Sequence, residues 1–286
     1  ITHAVGVTND ITERKLAEIA LKKSKQELSE LNDKKDHYLS IINSDLDQAS
    51  NYVNSLLPDE INTPPLKISW KIVPSAKLGG DSFGYHWIDD KHLALYMLDV
   101  TGHGVGPALH SVSVLNMLKF ETLHDTDFRI PHEVLHGLNQ VFRMTGPDSL
   151  FFTMWYLVYN CASKKLSYAG AGHPPLILFD ESGVAETLFS RNSMIGVDDQ
   201  TKFHSDNYQF MQKTSVYMYT DGAYEVNLPD GSMMCLEDLA SELSKYQNKP
   251  SGEIHKLYHS LVELNDGHKL EDDFTIMKIS INPHAG

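Results

Sequence analysis

The sequence predicts an α+β fold, a layered sandwich of strands and helices preceded by one long helix. Three observations carry this. From Thr12 to about Leu57 there is no glycine, and no proline before Pro58. Beyond Pro65 the apolar pattern turns to the two-residue alternation of strands. Those strands are interrupted by two pairs of helical segments, in the order strands, helix pair, strands, helix pair, strand, which is the pattern of a layered α+β sandwich.

Taken in order, residues 1–11 (Ile-Thr-His-Ala-Val-Gly-Val-Thr-Asn-Asp-Ile) read as a short strand and its exit. Thr12 then N-caps a helix that opens with Glu13-Arg14-Lys15. Heptad-like positions fall at Leu28, Leu31, Lys35, Tyr38, Ile42, Leu46, Ala49, Val53 and Leu56. Their spacing alternates between three and four up to Ile42, where two fours follow each other. That is a stutter, which locally unwinds a supercoil. A long, narrow apolar stripe of this kind pairs with a copy of itself. Residues 12–58 are therefore expected to form a helical linker, a parallel dimeric coiled coil.

Pro58 to Pro65 is a polar, proline-punctuated linker that ends the helix, and the globular part is expected over 59–286. Leu66–Val73 alternates with Ile68, Trp70 and Ile72 on one face. Phe83–Ile88 and His92–Val100 read as strands around an Asp89-Asp90 turn. Helices follow over Val105 to about Leu123 and Pro131 to about Met144, the second with proline near its start. Further strands are expected at Phe151–Tyr159, Lys165–Ala169, Pro175–Phe179, Tyr208–Met211 and Ser215–Thr220. Leu236–Tyr246 and Ser251–Leu264 read as helices and Phe274–Ile281 as a closing strand.

Composition narrows the function. A net charge of −14 argues against a nucleic-acid partner, which would call for a basic face. Cys161 and Cys235 are far apart and lack CxxC spacing, which excludes a disulfide framework or a cysteine zinc site and fits a cytoplasmic location. No apolar run approaches the roughly 18 residues of a spanning helix, so no membrane partner is expected. The polar-mixed start without Met carries no signal peptide and reads as a piece of something longer.

The chemistry lies in acids placed where buried strands meet turns. Asp81 follows Gly79-Gly80, and Asp99 ends an apolar strand before Thr101-Gly102-His103-Gly104. Asp221 follows Tyr219-Thr220 and precedes Gly222, and Asp272-Asp273 opens the last strand. Carboxylates in such places cost desolvation energy unless something positive compensates them. If they converge, their mutual repulsion calls for cations. Oxygen-only donors select Mg²⁺ or Mn²⁺ rather than zinc. Several acids around two hard ions is the layout that activates water against a phosphate ester.

The order and wording of these motifs resemble the PPM family of metal-dependent serine/threonine protein phosphatases, in its bacterial SpoIIE-like branch. The matching stretches are Gly79-Gly80-Asp81-Ser82-Phe83, Asp99-Val100-Thr101-Gly102-His103-Gly104, Ala169-Gly170-Ala171-Gly172-His173-Pro174-Pro175, Tyr219-Thr220-Asp221-Gly222 and Asp272-Asp273-Phe274-Thr275. The resemblance implies a four-layer αββα sandwich with two ions, Mn²⁺ or Mg²⁺, between the loops at one sheet edge. Carried onto these positions, Asp99 would bridge the two ions and the Val100 carbonyl would add a backbone ligand. Asp221 and Asp272 would complete the second ion, and Asp81 would hold the ions' waters, directly or through the surrounding shell. Asp273, Gly80, Gly102 and Gly222 would stand around those ligands. The departing serine oxygen would be protonated by His103, in the glycine turn, or by a metal-bound water. His173 takes a structural role in a turn that buttresses the core. Lys77 replaces an acid often found before the Gly-Gly-Asp and is read as solvated. The arginine that animal members use for phosphate has no counterpart at a matching position.

The same resemblance implies a phosphorylated regulatory protein as substrate, typically an anti-sigma-factor antagonist. The junction Asp10-Ile11-Thr12-Glu13-Arg14-Lys15 resembles the end of a PAS sensor domain, which implies that 1–11 is the remnant of an upstream sensor. Leu31–Leu46 resembles the dimerisation helix of sensor histidine kinases, but Ser44 stands in the phosphoacceptor place and no ATP-binding boxes follow, so His37 reads as a solvated helix residue. His132-Glu133-Val134-Leu135-His136 fits the HExxH zinc-protease pattern. It lacks a third ligand, and the spacing of Val134, Leu135, Leu138, Val141 and Phe142 is that of an ordinary amphipathic helix. The alternative to an enzyme is a degenerate phosphatase fold that binds a phosphoprotein or a partner without turnover. The intact set of Asp81, Asp99, Asp221 and Asp272 speaks against it.

Overall fold

The structure, a computed structural model, describes residues 12–143, 150–247 and 252–284. The expected sensor remnant at 1–11, and the helix ends placed at Met144 and Ser251, lie outside the described residues. The chain divides into two compact units, 1–49 and 50–286.

The first helix, α1, runs over Thr12–Leu56 and has no buried residue. Its large apolar side chains, among them Leu28, Leu31, Tyr38 and Ile42, are exposed. Pro58 stops the helix, since proline cannot donate the next backbone hydrogen bond.

The second unit holds, in order, β1 (Ile61–Thr63), β2 (Leu66–Val73), β3 (Ser82–Trp87), β4 (His92–Val100), α2 (Val105–Lys119), α3 (Pro131–Val141), β5 (Phe152–Asn160), β6 (Lys165–Ala171), β7 (Leu176–Asp180), β8 (Ala185–Leu188), β9 (Asp206–Gln209), β10 (Thr214–Tyr219), a 3₁₀ turn at Asp221–Ala223, α4 (Leu236–Ser244), α5 (Glu253–Leu264) and β11 (Phe274–Ile281). Sheet A has the order β1-β2-β11-β10-β7-β8 and sheet B the order β3-β4-β5-β6-β9. All the pairings between these strands are antiparallel.

Strand alternation sorts the side chains into layers. Leu93, Leu95 and Met97 of β4 and Trp155, Leu157 and Tyr159 of β5 meet Val216 and Met218 of β10 and Met277, Ile279 and Ile281 of β11 between the sheets. The alternate residues of sheet B, such as Ala94, Tyr96, Leu98 and Tyr156, pack under Val114 and Leu118 of α2 and Val134 and Leu138 of α3. On sheet A, Ile177, Tyr217, Tyr219 and Ile276 pack under Leu239 and Leu243 of α4 and Leu257 and Leu261 of α5. The result is the αββα order of layers. Leu157 is fully buried at the centre of the inter-sheet layer. Replacing it by Ala is expected to cost about 3 kcal/mol, read from the midpoint of urea unfolding.

Two strands lie where the sequence pattern is silent. The segment read as a linker contains β1, which pairs Ile61 with Ile68 across the Pro64-Pro65 turn; proline marks the turn but leaves the three residues before it free to pair. Strand β8 returns from β7 through Ser182-Gly183, where Asp180 Oδ1 accepts bonds from Ser182 N, Ser182 Oγ and Val184 N. Only Leu188 of β8 is buried, so no alternation announces it. Helix α2 ends at Lys119 rather than Leu123, because Glu121 turns to φ 51°. Strand β9 covers Asp206–Gln209 rather than 208–211, set by its register with β6, Lys165 opposite Gln209.

Candidate functional site

At one end of the inter-sheet layer the apolar alternation runs into polar residues. On β4 the series Leu93, Leu95, Met97 continues to Asp99. Phe83 on β3 is preceded two residues earlier by Asp81, and Trp155 on β5 by Thr153. On sheet A, Met218 is followed at that spacing by Thr220, and Met277 is preceded by Thr275 and then Asp273. The registers align these positions. Asp99 stands opposite Thr153, and one step beyond Ser82–Leu98 brings Asp81 opposite Asp99. Thr220 and Thr275 follow the Met218–Met277 pair, and Thr220 N donates to the Thr275 carbonyl at 3.1 Å. A period of two thus delivers acids and hydroxyls from both sheets to one place.

Asp81 is 5 % exposed, and its Oδ2 accepts the Thr220 hydroxyl at 2.7 Å, a bond from one sheet to the other. Burial pushes its carboxyl well above the usual range, and the charge of Asp99 adds to this. Asp99 is pushed up to about 7, by burial first and then by Asp221, Asp272 and Asp273. Asp221 opens the 3₁₀ turn after β10 and is pushed up to about 6 by burial, with Asp272 and Glu225 contributing. These carboxyls raise one another because their charges share a desolvated space.

Asp273, 4 % exposed, is a clamp. Its Oδ1 accepts Ser75 N at 2.6 Å and Ser75 Oγ at 2.8 Å, and its Oδ2 accepts Gly80 N at 2.8 Å. That fixes the loop that carries Asp81. Asp272 is exposed beside it, and its Oδ1 accepts the Asp273 N–H at 2.7 Å. Gly80 lies against the Val100 carbonyl, and a Cβ there would collide with that oxygen. Gly222 lies in the same way against the Asp273 carbonyl. Gly102 and Gly104 take φ 92° and 97°, which only glycine adopts without strain, and Gly104 N donates to the Leu78 carbonyl at 2.9 Å. His103 is exposed between them and makes no hydrogen bond among the described residues.

His173 is buried, with Nδ1 2.7 Å from the Thr153 hydroxyl, and burial pushes it down to about 3, so the ring is neutral. In the HExxH stretch, His132 Nδ1 is 2.6 Å from Ser205 Oγ, and Glu133 accepts the Asp127 N–H at 3.0 Å. Those side chains are committed to the turns around α3.

The structure therefore brings Asp81, Asp99, Asp221, Asp272 and Asp273 together, sets the Val100 carbonyl against Gly80, and leaves His103 in the open turn. Among the described residues no three His, Cys, Asp or Glu side chains already stand at metal-holding spacing. The donor set nonetheless fits a hard divalent cation: it is all oxygen and partly buried, and burial, with neighbouring negative charge, raises Asp81, Asp99 and Asp221. Two residues of this neighbourhood escaped the sequence reading. Glu225 N donates to the Asp221 carbonyl at 2.8 Å, and its charge acts on Asp221. Tyr224 is pushed up to about 12 by burial and by Asp221, Glu225 and Asp99. The signal was the Asp221-to-Glu225 spacing, one tight turn, which places both acids on one side.

Comparison with known proteins agrees with this architecture. Phosphoserine phosphatase RsbP of Bacillus subtilis (strain 168) is 25% identical over 239 residues, 83% of this chain and 58% of RsbP. Phosphoserine phosphatase RsbU of the same organism is 27% identical over 242 residues, 82% of this chain and 70% of RsbU. The chain thus spans little more than half of RsbP. Among solved structures, the SiaA-PP2C domain of Pseudomonas aeruginosa superposes with a TM-score of 0.70 at 22% identity, covering 85% of this chain and 97% of that one, which shows a shared PP2C fold. The family described as Stage II sporulation protein E (SpoIIE) matches residues 89–282, from the β3–β4 turn to the end of β11. The chain belongs to the SpoIIE family.

Proposed function

We propose that the chain is a metal-dependent protein-serine/threonine phosphatase, a phosphoric monoester hydrolase. The observation that carries this is the convergence of acids from the strand ends of both sheets, Asp81 and Asp99 on one and Asp221 and Asp272 on the other, with Asp81 buried and Asp99 and Asp221 partly so. That RsbP and RsbU bear the name phosphoserine phosphatase supports the same activity here.

Asp99 would be shared by two cations, with the Val100 carbonyl, Asp221 and Asp272 as further ligands and Asp81 closing the site from the β3 side. Two ions of Mn²⁺ or Mg²⁺ supply the Lewis acidity that activates water against a phosphate ester. The chain's own groups do the rest. Asp273 holds the Ser75–Gly80 loop in place. Gly102 and Gly104 keep the approach bare of side chains, so a phosphoserine can reach the acids. His103, in the exposed turn, gives a proton to the departing serine oxygen. Phosphate release from a phosphoserine peptide tests the reading: release with Mn²⁺ that excess EDTA abolishes is expected, and no release at saturating Mn²⁺ contradicts it.

The substrate in this reading is a phosphorylated regulatory protein, an anti-sigma-factor antagonist. No described helix is long and apolar enough to cross a membrane, and the reading places the enzyme in the cytoplasm. An upstream PAS sensor acts through α1, whose exposed heptad stripe takes a second copy of the same helix. Ile42→Asp is expected to convert a dimer to a monomer in sedimentation equilibrium; a wild type that is already monomeric at high concentration contradicts the pairing. A residue inserted at Ile42 is expected to uncouple activity from the sensor in the longer protein.

A further inference from the structure

We propose that His173 is a positioning residue that sets the spacing between the two halves of the acid cluster, Asp81–Asp99 on sheet B and Asp221–Asp272 on sheet A. The inference rests on the metal-dependent reading above.

Between β6 and β7 the chain crosses from sheet B to sheet A through Gly172-His173-Pro174-Pro175. The crossover is tied along its length. Gly172 takes φ 64° and donates its N–H to the Asn192 carbonyl at 3.1 Å. The Pro174 carbonyl accepts Trp155 Nε1 at 2.6 Å. His173 itself is 8 % exposed, with Nδ1 2.7 Å from the Thr153 hydroxyl. Thr153 stands opposite Asp99 in the β4–β5 ladder. The ring therefore meets sheet B on the rung that carries Asp99. On sheet A, Pro174-Pro175 run straight into β7, whose Ile177 stands opposite Tyr217 of β10. Tyr219 ends β10, two residues before Asp221. The turn that carries this imidazole thus links the rung of Asp99 on sheet B to the strand pair on sheet A whose β10 leads to Asp221. On the other flank the Thr220–Asp81 hydrogen bond makes a second tie between the sheets.

Two physical points separate this from plain packing. First, Nε2 is sealed from solvent and has no hydrogen-bond partner among the described residues. A buried polar atom left so costs roughly 1–3 kcal/mol, which an apolar side chain at the same place would avoid. Second, the inter-sheet layer behind the ring is apolar, and apolar contact has no preferred direction. Cations tolerate only a few tenths of an ångström in ligand placement. A directional bond at the level of Asp99 supplies the placement that apolar packing does not.

The test compares Mn²⁺ binding and metal-free melting for wild type, His173→Asn, Thr153→Val and Thr153→Ser. Thr153→Val removes the hydroxyl at nearly constant volume, and Thr153→Ser keeps it. Thr153→Val and His173→Asn are expected to weaken Mn²⁺ binding about 10-fold or more, and Thr153→Ser to stay within about twofold of wild type. The two Thr153 variants are expected to melt within a few degrees of each other without metal, so the affinity split does not follow stability. Wild-type affinity in Thr153→Val overturns the inference, as does an equal loss in Thr153→Ser. A wild type that binds no Mn²⁺ overturns the metal reading together with this one, and is told apart by the lack of binding before any substitution. Should His173→Asn not fold, the Thr153 pair still decides.

Discussion

Asp99→Asn is expected to lower phosphoserine hydrolysis by about 10³-fold and, in the same protein, to raise metal-free stability at about pH 8. The two effects have one cause. Burial and the charges of Asp221, Asp272 and Asp273 move the Asp99 carboxyl from 3.8 to about 7. A folded-state pKa above the unfolded value means that the folded chain holds the proton more tightly. The stabilisation is complete below about pH 4, fades as pH rises, and is gone above about pH 7. Asp221, moved to about 6, acts in the same sense over a narrower range. Metal-free protein should therefore melt at lower temperature at pH 8 than at pH 5. Asparagine cannot ionise, so it removes the Asp99 share of that loss, of order 2 kcal/mol after relaxation and screening. Thermal melts at the two pH values check it. A mutant that melts below wild type at pH 8 without metal would falsify the electrostatic account even if hydrolysis fell.

Gly80→Ala is the second large effect. The new Cβ meets the Val100 carbonyl head on and lies 2.9 Å from the Gly102 carbonyl. Neither is a flexible side-chain end, so the backbone must move. Movement stretches the Gly80 N–H to Asp273 bond and carries Asp81 away from Thr220. A loss of about 2 kcal/mol in stability and about 10²-fold in activity is expected. Urea unfolding and phosphate release measure the two. Gly106→Ala is the control, because a Cβ there meets nothing within 4 Å. Equal behaviour of the two variants contradicts the close approach.

Much of this was legible in the chain. Strands β4 and β11 were bounded to the residue, because each is a long apolar run closed by an acid or an Asp-Asp pair. Asp81, Asp99, Asp221 and Asp272 could be singled out because an acid at the end of a buried strand is costly and needs a reason. That the fold is a layered α+β sandwich followed from the alternation of strand groups and helix pairs, and its αββα order from the family resemblance. What stayed hidden depends on contacts across the sheets. Nothing local to Thr153 or Thr220 says that their hydroxyls would meet His173 and Asp81. Asp273 read as a neighbour of the metal ligands, and only the fold shows its oxygens taken by Ser75 and Gly80. Strands β1 and β8 lie at the edges of sheet A, where one buried residue or none leaves no period to read.

The central claim is that the acids of two sheets hold two cations. Anomalous diffraction at the manganese edge, from crystals grown with Mn²⁺, tests it most directly. The account predicts two peaks that share Asp99, with the Val100 carbonyl at one side and Asp221 and Asp272 at the other. An ordered site without a peak at saturating Mn²⁺, or peaks ligated by side chains other than these, would contradict it.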